Sequence, residues 1–295
     1  MKKKGFTLIE LLVVIAIIAM LMGMLMPALA AAKNKAMILV CGANLGGLGK
    51  AMLVYASDNE DNFPRAGGPK SIWDTSGFCG GMPMNWIHPN RLTAYGLGTV
   101  TSPRDGKVTV TASIYLLVKN NNITPAQAVC KADGAREFKV SLETMTPRTL
   151  EQVWDFGVTL LNVFPAGSPT MGFTGAYCSY AYQMPYYVLN KGSFALDDTY
   201  NPDTPVLADR NPHLDMRRPA GDAGPGQPSY SHGGKGQNVW FKNGSAEWLK
   251  DVTAGIGGNN IYCYGTDLKP TNVGIGISAV KTDAYLVSER NGKLQ

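Results

Sequence analysis

An apolar run from Phe6 to Met26, with 18 hydrophobic residues out of 21, constrains this chain more than any other feature. Coiled as a helix, those residues cover roughly 31 Å, close to the hydrocarbon thickness of a bilayer. Lys2, Lys3 and Lys4 precede the run and favour a cytoplasmic N-terminus. One residue breaks the pattern. Glu10 sits about one turn into the run, where an ionised carboxylate is costly unless a cation meets it.

Two plainer readings of this segment are weaker. A secretory signal peptide has an acceptable cleavage triplet in Ala28-Leu29-Ala30. Its apolar core, however, is about 7–15 residues long and rarely holds a carboxylate. A simple single-pass anchor accounts for the span but not for Gly5-Phe6 followed by Glu10.

The rest of the chain is close to neutral. Net charge is +5, and without the three leading lysines 24 basic residues face 22 acidic ones. That excess is too small for a phosphate-binding footprint, so no nucleic-acid partner is expected. The five cysteines, Cys41, Cys79, Cys130, Cys178 and Cys263, lie far apart in sequence. None forms the close pair of a zinc or thioredoxin-like site, and disulfides in an oxidising compartment suit them better. Glycine and proline make up about 18% of the chain and gather after Asn62, as expected for short strands joined by loops.

Helical spacing persists beyond the apolar run. Met37, Cys41, Leu45, Leu48, Met52 and Tyr55 recur at intervals of three or four, which puts one stripe against a core. The reading is a helix of about 50 residues from Phe6 to Tyr55, roughly 75 Å long, whose second half packs on a sheet. Gly42, Gly46, Gly47 and Gly49 each cost such a helix up to about 1 kcal/mol relative to Ala. They either admit another backbone or mark a place where the helix loosens. Pro27 removes one hydrogen bond and is expected to bend or open the helix.

Downstream, Thr111 to Asn120 reads as a helix with Thr111 or Ser113 as its cap. Gln237 to Phe241 and Ser245 to Leu249 read as a hairpin around Lys242-Asn243-Gly244, since Asn-Gly is a strong hairpin signal. Tyr177 to Tyr182, Val206 to Ala208 and Asn260 to Tyr264 are further strand candidates. The expected architecture is α+β: a long N-terminal helix packed on a C-terminal antiparallel sheet domain with many loops. Its expected divisions are a leader at 1–5, a membrane helix at 6–26, an amphipathic continuation at 27–57 and one globular domain at 58–295.

The string KGFTLIELLVVIAII resembles the N-terminal signal of type IV prepilins and type II secretion pseudopilins. The resemblance implies cleavage by a prepilin peptidase between Gly5 and Phe6 and methylation of the new Phe6 amine. It also implies that this amine, on a neighbouring subunit, neutralises Glu10, so that a costly charge becomes a register signal for assembly. Pro27 is similar to the proline that kinks many pilin helices. Cys41-Gly-Ala-Asn44-Leu45, Tyr55-Ala-Ser-Asp-Asn59 and Phe63-Pro64 resemble the segment after the helix in pseudopilin-like proteins of planctomycetes and verrucomicrobia. Shorter likenesses follow at Val129 to Asp133, Ser179-Tyr180, Val206 to Pro212, His232 to Val239 and Asn260 to Tyr262.

This second resemblance implies a disulfide between Cys41 and Cys130. Closing a loop of about 90 residues stabilises by roughly 4 kcal/mol in the loop-entropy account. With five cysteines, at least one of Cys79, Cys178 and Cys263 is a thiol or is bonded between chains. Relatives often carry Asp-Gly in the hairpin turn where this chain has Asn243-Gly244, which weakens any metal role for the turn. Major pseudopilins hold calcium in a C-terminal loop, and Asp251, Asp267 and Asp283 are thin candidates for it here. No other cofactor is expected.

Signs of catalysis are few. His88, His213 and His232 stand apart in sequence, and Asp209 and His213 share a four-residue interval across a turn-forming Asn211-Pro212. His232 reads as a hydrogen-bonded turn histidine entering the hairpin. The reading is therefore a structural subunit, not an enzyme. It would partner copies of itself, other pilin-like subunits, the peptidase, an inner-membrane assembly platform and lipid. It would start as a single-pass inner-membrane protein with a periplasmic domain and end in a filament. The alternative is a minor or tip subunit that binds a substrate or surface through Trp73, Trp86 and Tyr95. A third class, a membrane-tethered enzyme, would need His213 or His232 to converge with carboxylates.

Overall fold

In the computed structural model, the described residues are 7–66, 110–139, 150, 155–156, 177–183, 201–214, 226–263 and 286–287. Four two-residue strands are also placed: Ile72–Trp73 parallel to Tyr187–Val188, and Phe78–Cys79 antiparallel to Met82–Pro83. Helix α1 runs Leu8–Asp58 without interruption, 51 residues and about 76 Å. Pro27 lies inside α1 and does not end it; the carbonyl that loses its donor belongs to Gly23, four residues back. α1 stops where Glu60 and Asp61 turn to positive φ, the Asp61 N–H returns to the Ala56 carbonyl, and the Asn59 side chain donates to the Tyr55 carbonyl.

Five antiparallel strands form the main sheet: β1 Tyr180–Gln183, β2 Pro205–Asp209, β3 Gln237–Phe241, β4 Ala246–Leu249 and β5 Leu286–Val287. Their order is β4-β3-β2-β1-β5, with β2 at the centre. Alternation along the strands divides the apolar residues between two cores. Tyr180, Tyr182 and Trp240 face Cys41, Leu45, Leu48 and Met52 of α1, while Ala181, Ala208 and Val239 pack on Val252, Ile261 and Tyr262. An irregularity in the β2–β3 register between Pro205 and Leu207 places both Val206 and Leu207 in the first core. The stripe expected on α1 is buried from Cys41 to Met52, with Met37 and Tyr55 half-buried at its two ends.

Helix α2, Val110–Lys119, completes the first core through Ile114, Tyr115, Leu117 and Val118. Neither Thr111 nor Ser113 caps it, because both lie inside the helix and are buried. The Ser113 hydroxyl accepts instead from the Ala66 N–H at 3.2 Å, tying the chain that leaves α1 to α2. Asn260 to Tyr264 is also corrected: residues 261–262 form a turn, and Cys263 contributes only an isolated bridge. The Asn260 side chain accepts from the Tyr262 N–H at 2.8 Å, so a local hydrogen bond outcompetes strand pairing. In the hairpin only Gly244 takes positive φ, at 90°, while Asn243 accepts from the Ser245 N–H.

The glycines of α1 do not loosen the helix. What approaches them is side chain rather than backbone: a Cβ at Gly49 would overlap the buried indole of Trp240, and one at Gly42 would stand 2.8 Å from Asn238 Oδ1. A Cβ at Gly46 meets only Ala246 Cβ, at an ordinary 3.8 Å. Gly49→Ala is therefore expected to destabilise by about 3 kcal/mol through overpacking. Gly46→Ala should be neutral or stabilise by up to about 1 kcal/mol. Denaturation midpoints of the two variants side by side check the contrast.

Candidate functional site

Among the described residues, nothing covers the N-terminal half of α1. From Leu8 to Leu29 its large apolar side chains are between 46% and 77% exposed. Its apolar window has no buried share, and the helix is long and apolar enough to cross a membrane. Local chemistry starts it: Thr7 and Glu10 form a capping box. The Thr7 N–H and hydroxyl both donate to Glu10 Oε2 at 2.8 Å, and the Glu10 N–H donates to Thr7 Oγ1 at 3.3 Å. Glu10, read from sequence as a carboxylate in want of a cation, thus finds neutral donors one turn away. The signal was legible, since Thr followed three residues later by Glu before an apolar run marks a helix start. Gly5 and Phe6 lie outside the described residues, so the pairing of Glu10 with the amine stays an expectation.

A second cluster lies where α1 meets the sheet. Cys41 and Cys130 form a disulfide with Cα atoms 5.3 Å apart, across a sequence separation of 89. It fastens α1 to the loop after the short 3-10 turn Pro125–Ala128. Cys178 and Cys263 are buried thiols. Burial pushes the Cys178 thiol up to about 12, which makes it a poor nucleophile at neutral pH. Cys79, the fifth cysteine, lies in one of the short strands.

His232 ends the 3-10 turn Tyr230–His232 and points inward, with a side chain only 2% exposed. Its Nε2 stands 3.4 Å from Asp209 Oδ2 and 3.6 Å from Cys130 Sγ, and its ring meets Trp248 edge-on. Asp209 thus meets His232, not the His213 that shares its sequence interval. His232 thus does converge with a carboxylate, as the membrane-tethered enzyme reading requires, but the third group beside it is a disulfide sulfur rather than a nucleophile. His213 stands 3.8 Å from Cys263 Sγ. Beside this cluster, Arg210 and Asp133 form a fully buried ion pair at 3.0 Å, and Arg210 also donates to the Cys178 carbonyl at 2.7 Å. Sequence reading named Asp133 and Arg210 only within short likenesses and missed the pair.

The remaining expectations have little to rest on. Asp251 is exposed, and its carboxylate accepts from the Thr253 N–H, which holds its pKa below the usual carboxylate value. Asp267, Asp283, His88, Trp86 and Tyr95 lie outside the described residues, as does the side chain of Trp73.

An exposed apolar half-helix continuing into the spine of an α+β domain defines a pilin-like layout. Residues 1–26 match the family model described as the prokaryotic N-terminal methylation motif. The motif supports a type IV pilin-like or pseudopilin precursor processed by prepilin peptidase. The match ends at residue 26, so it does not extend to the downstream likeness to planctomycete and verrucomicrobial proteins. No curated protein and no solved structure matches the chain.

Proposed function

We propose that this chain is a structural subunit of a type IV pilus-like or type II secretion pseudopilus filament. The carrying observation is the exposed apolar surface of α1 from Leu8 to Leu29, which no part of the described chain covers. Lipid covers it first and the helices of neighbouring subunits cover it later. Peptidase cleavage after Gly5 on the cytoplasmic face releases Phe6, whose methylated amine neutralises Glu10 of an adjacent subunit. The globular domain, held to α1 by the Cys41–Cys130 bridge, faces the periplasm, where that bridge is stable. An inner-membrane assembly platform draws subunits into the filament, and the role is polymerisation rather than catalysis.

Intact mass spectrometry of the mature chain tests the first step. The expected product begins at N-methyl-Phe6. A mature N-terminus at Ala31 or Lys33 would show signal-peptidase cleavage and overturn the filament reading.

A further inference from the structure

The disulfide has neighbours that a simple cross-link does not require. Cys41 Sγ, Cys130 Sγ and His232 Nε2 lie within 4.8 Å of one another, and Asp209 Oδ2 is 3.4 Å from the same nitrogen. Ligands bound tetrahedrally at roughly 2.0–2.3 Å stand about 3.3–3.8 Å from one another. The His232–Asp209 and His232–Cys130 separations, 3.4 and 3.6 Å, fall within that range, while Asp209 stands outside the cluster formed by the two sulfurs and His232 and has to move toward the sulfurs to join as fourth ligand. Four separate segments supply the groups: α1, the loop at Cys130, the turn at His232 and the end of β2.

The surroundings also suit a cation. Asp209 Oδ2 accepts from the Asn238 N–H at 2.7 Å and from its side-chain amide at 3.0 Å, and both donors are neutral. The other carboxylate oxygen is buried and has no hydrogen-bond partner among the described residues. A buried carboxylate so placed lacks full charge compensation. The Cys130 N–H donates to Ser179 Oγ at 2.8 Å, and Trp248 holds the His232 ring. Such outer contacts orient metal ligands, and the closed, buried setting is that of a structural rather than a catalytic site.

We propose that, when the Cys41–Cys130 bridge is open, Cys41, Cys130, His232 and Asp209 hold a soft divalent cation, zinc by preference. The junction is then fastened by a disulfide under oxidising conditions and by a metal under reducing ones. Opening takes a dithiol reductant. Its two thiols become a disulfide while two electrons and two protons pass to Cys41 and Cys130. Zinc then displaces both thiol protons to solvent and binds the two thiolates, neutral His232 Nε2 and Asp209 Oδ2.

The test uses the full chain in detergent, reduced anaerobically with a phosphine and titrated with cobalt as the probe. One equivalent is expected to give the visible bands of tetrahedral cobalt and a thiolate charge-transfer band, both bleached by zinc. The oxidised chain should take up none. His232→Ala and Asp209→Asn should each weaken zinc binding at least about 10-fold. Peptide mapping that finds the disulfide re-formed in both variants shows that they fold. A reduced, folded chain without the tetrahedral spectrum overturns the proposal. So does equal zinc affinity in both variants, which would mean thiolate binding alone. If reduction unfolds the chain, zinc should restore its circular dichroism, and failure to do so overturns the proposal as well.

Discussion

Glu10→Leu is expected to yield a chain that is cleaved, stays in the membrane and no longer enters filaments. Leucine removes a polar group from an apolar run, so anchoring improves. Assembly loses the carboxylate that meets the Phe6 amine of the neighbouring subunit. Leaving that amine buried and unpaired costs about 3–5 kcal/mol per added subunit, more than a hundredfold in the equilibrium. The capping box complicates this substitution, because leucine also removes the acceptor of the Thr7 N–H and hydroxyl. Lost capping is worth only about 1 kcal/mol. Glu10→Gln separates the two roles, since glutamine keeps a capping oxygen but no charge. Filament yield and membrane fractionation for both variants decide between them. Failure of both assigns the effect to charge, normal filaments from Glu10→Gln assign it to the helix start, and loss of Glu10→Leu from the membrane would show that the segment is not a span.

Arg210→Met is expected to destabilise the globular domain by about 3–5 kcal/mol, the cost of stranding one member of a buried ion pair. Asp133 and Arg210 are both fully buried, 3.0 Å apart, and the guanidinium also serves the Cys178 carbonyl. Methionine fills much of the same volume but takes away the cation beside Asp133, which keeps the Ala135 N–H at 2.7 Å, and the guanidinium donor to that carbonyl. Removing both charges should recover a large part of the loss, so Arg210→Met with Asp133→Leu should be more stable than Arg210→Met alone. Urea midpoints followed by tryptophan fluorescence test this. A single variant within about 1 kcal/mol of the parent would show that the pair is not what holds this loop to the sheet.

The same locality that makes Glu10 readable makes the first fifty residues readable. An apolar run, a threonine three residues before a glutamate, and a stripe at helical spacing are relations among near neighbours in the chain. α1 follows them from Leu8 to Asp58. The Lys242-Asn243-Gly244 hairpin is legible for a similar reason, because Gly244 supplies the positive φ that closes it. Local reasoning fails where a side chain is claimed by a distant segment or by its own backbone. Ser113 looked like a cap and serves Ala66 instead, while Asn260 turns a strand-like stretch into a turn.

By itself, then, the sequence determined that the chain begins with a membrane-length helix, that this helix continues as the spine of an α+β domain, and that its N-terminus carries a processing signal. The first two rest on periodicity along the chain, and the third on the resemblance of its first residues to prepilin signals, which the match at residues 1–26 supports. Only the tertiary structure decided that the Gly49 site receives Trp240, that Asp209 meets His232 rather than His213, and that Arg210 reaches Asp133. Those partners are 23 to 191 residues apart in sequence. They meet because burying the stripe of α1 against β1, β2 and β3 brings their segments together, and polar groups carried inside must then pair with whatever that packing sets beside them.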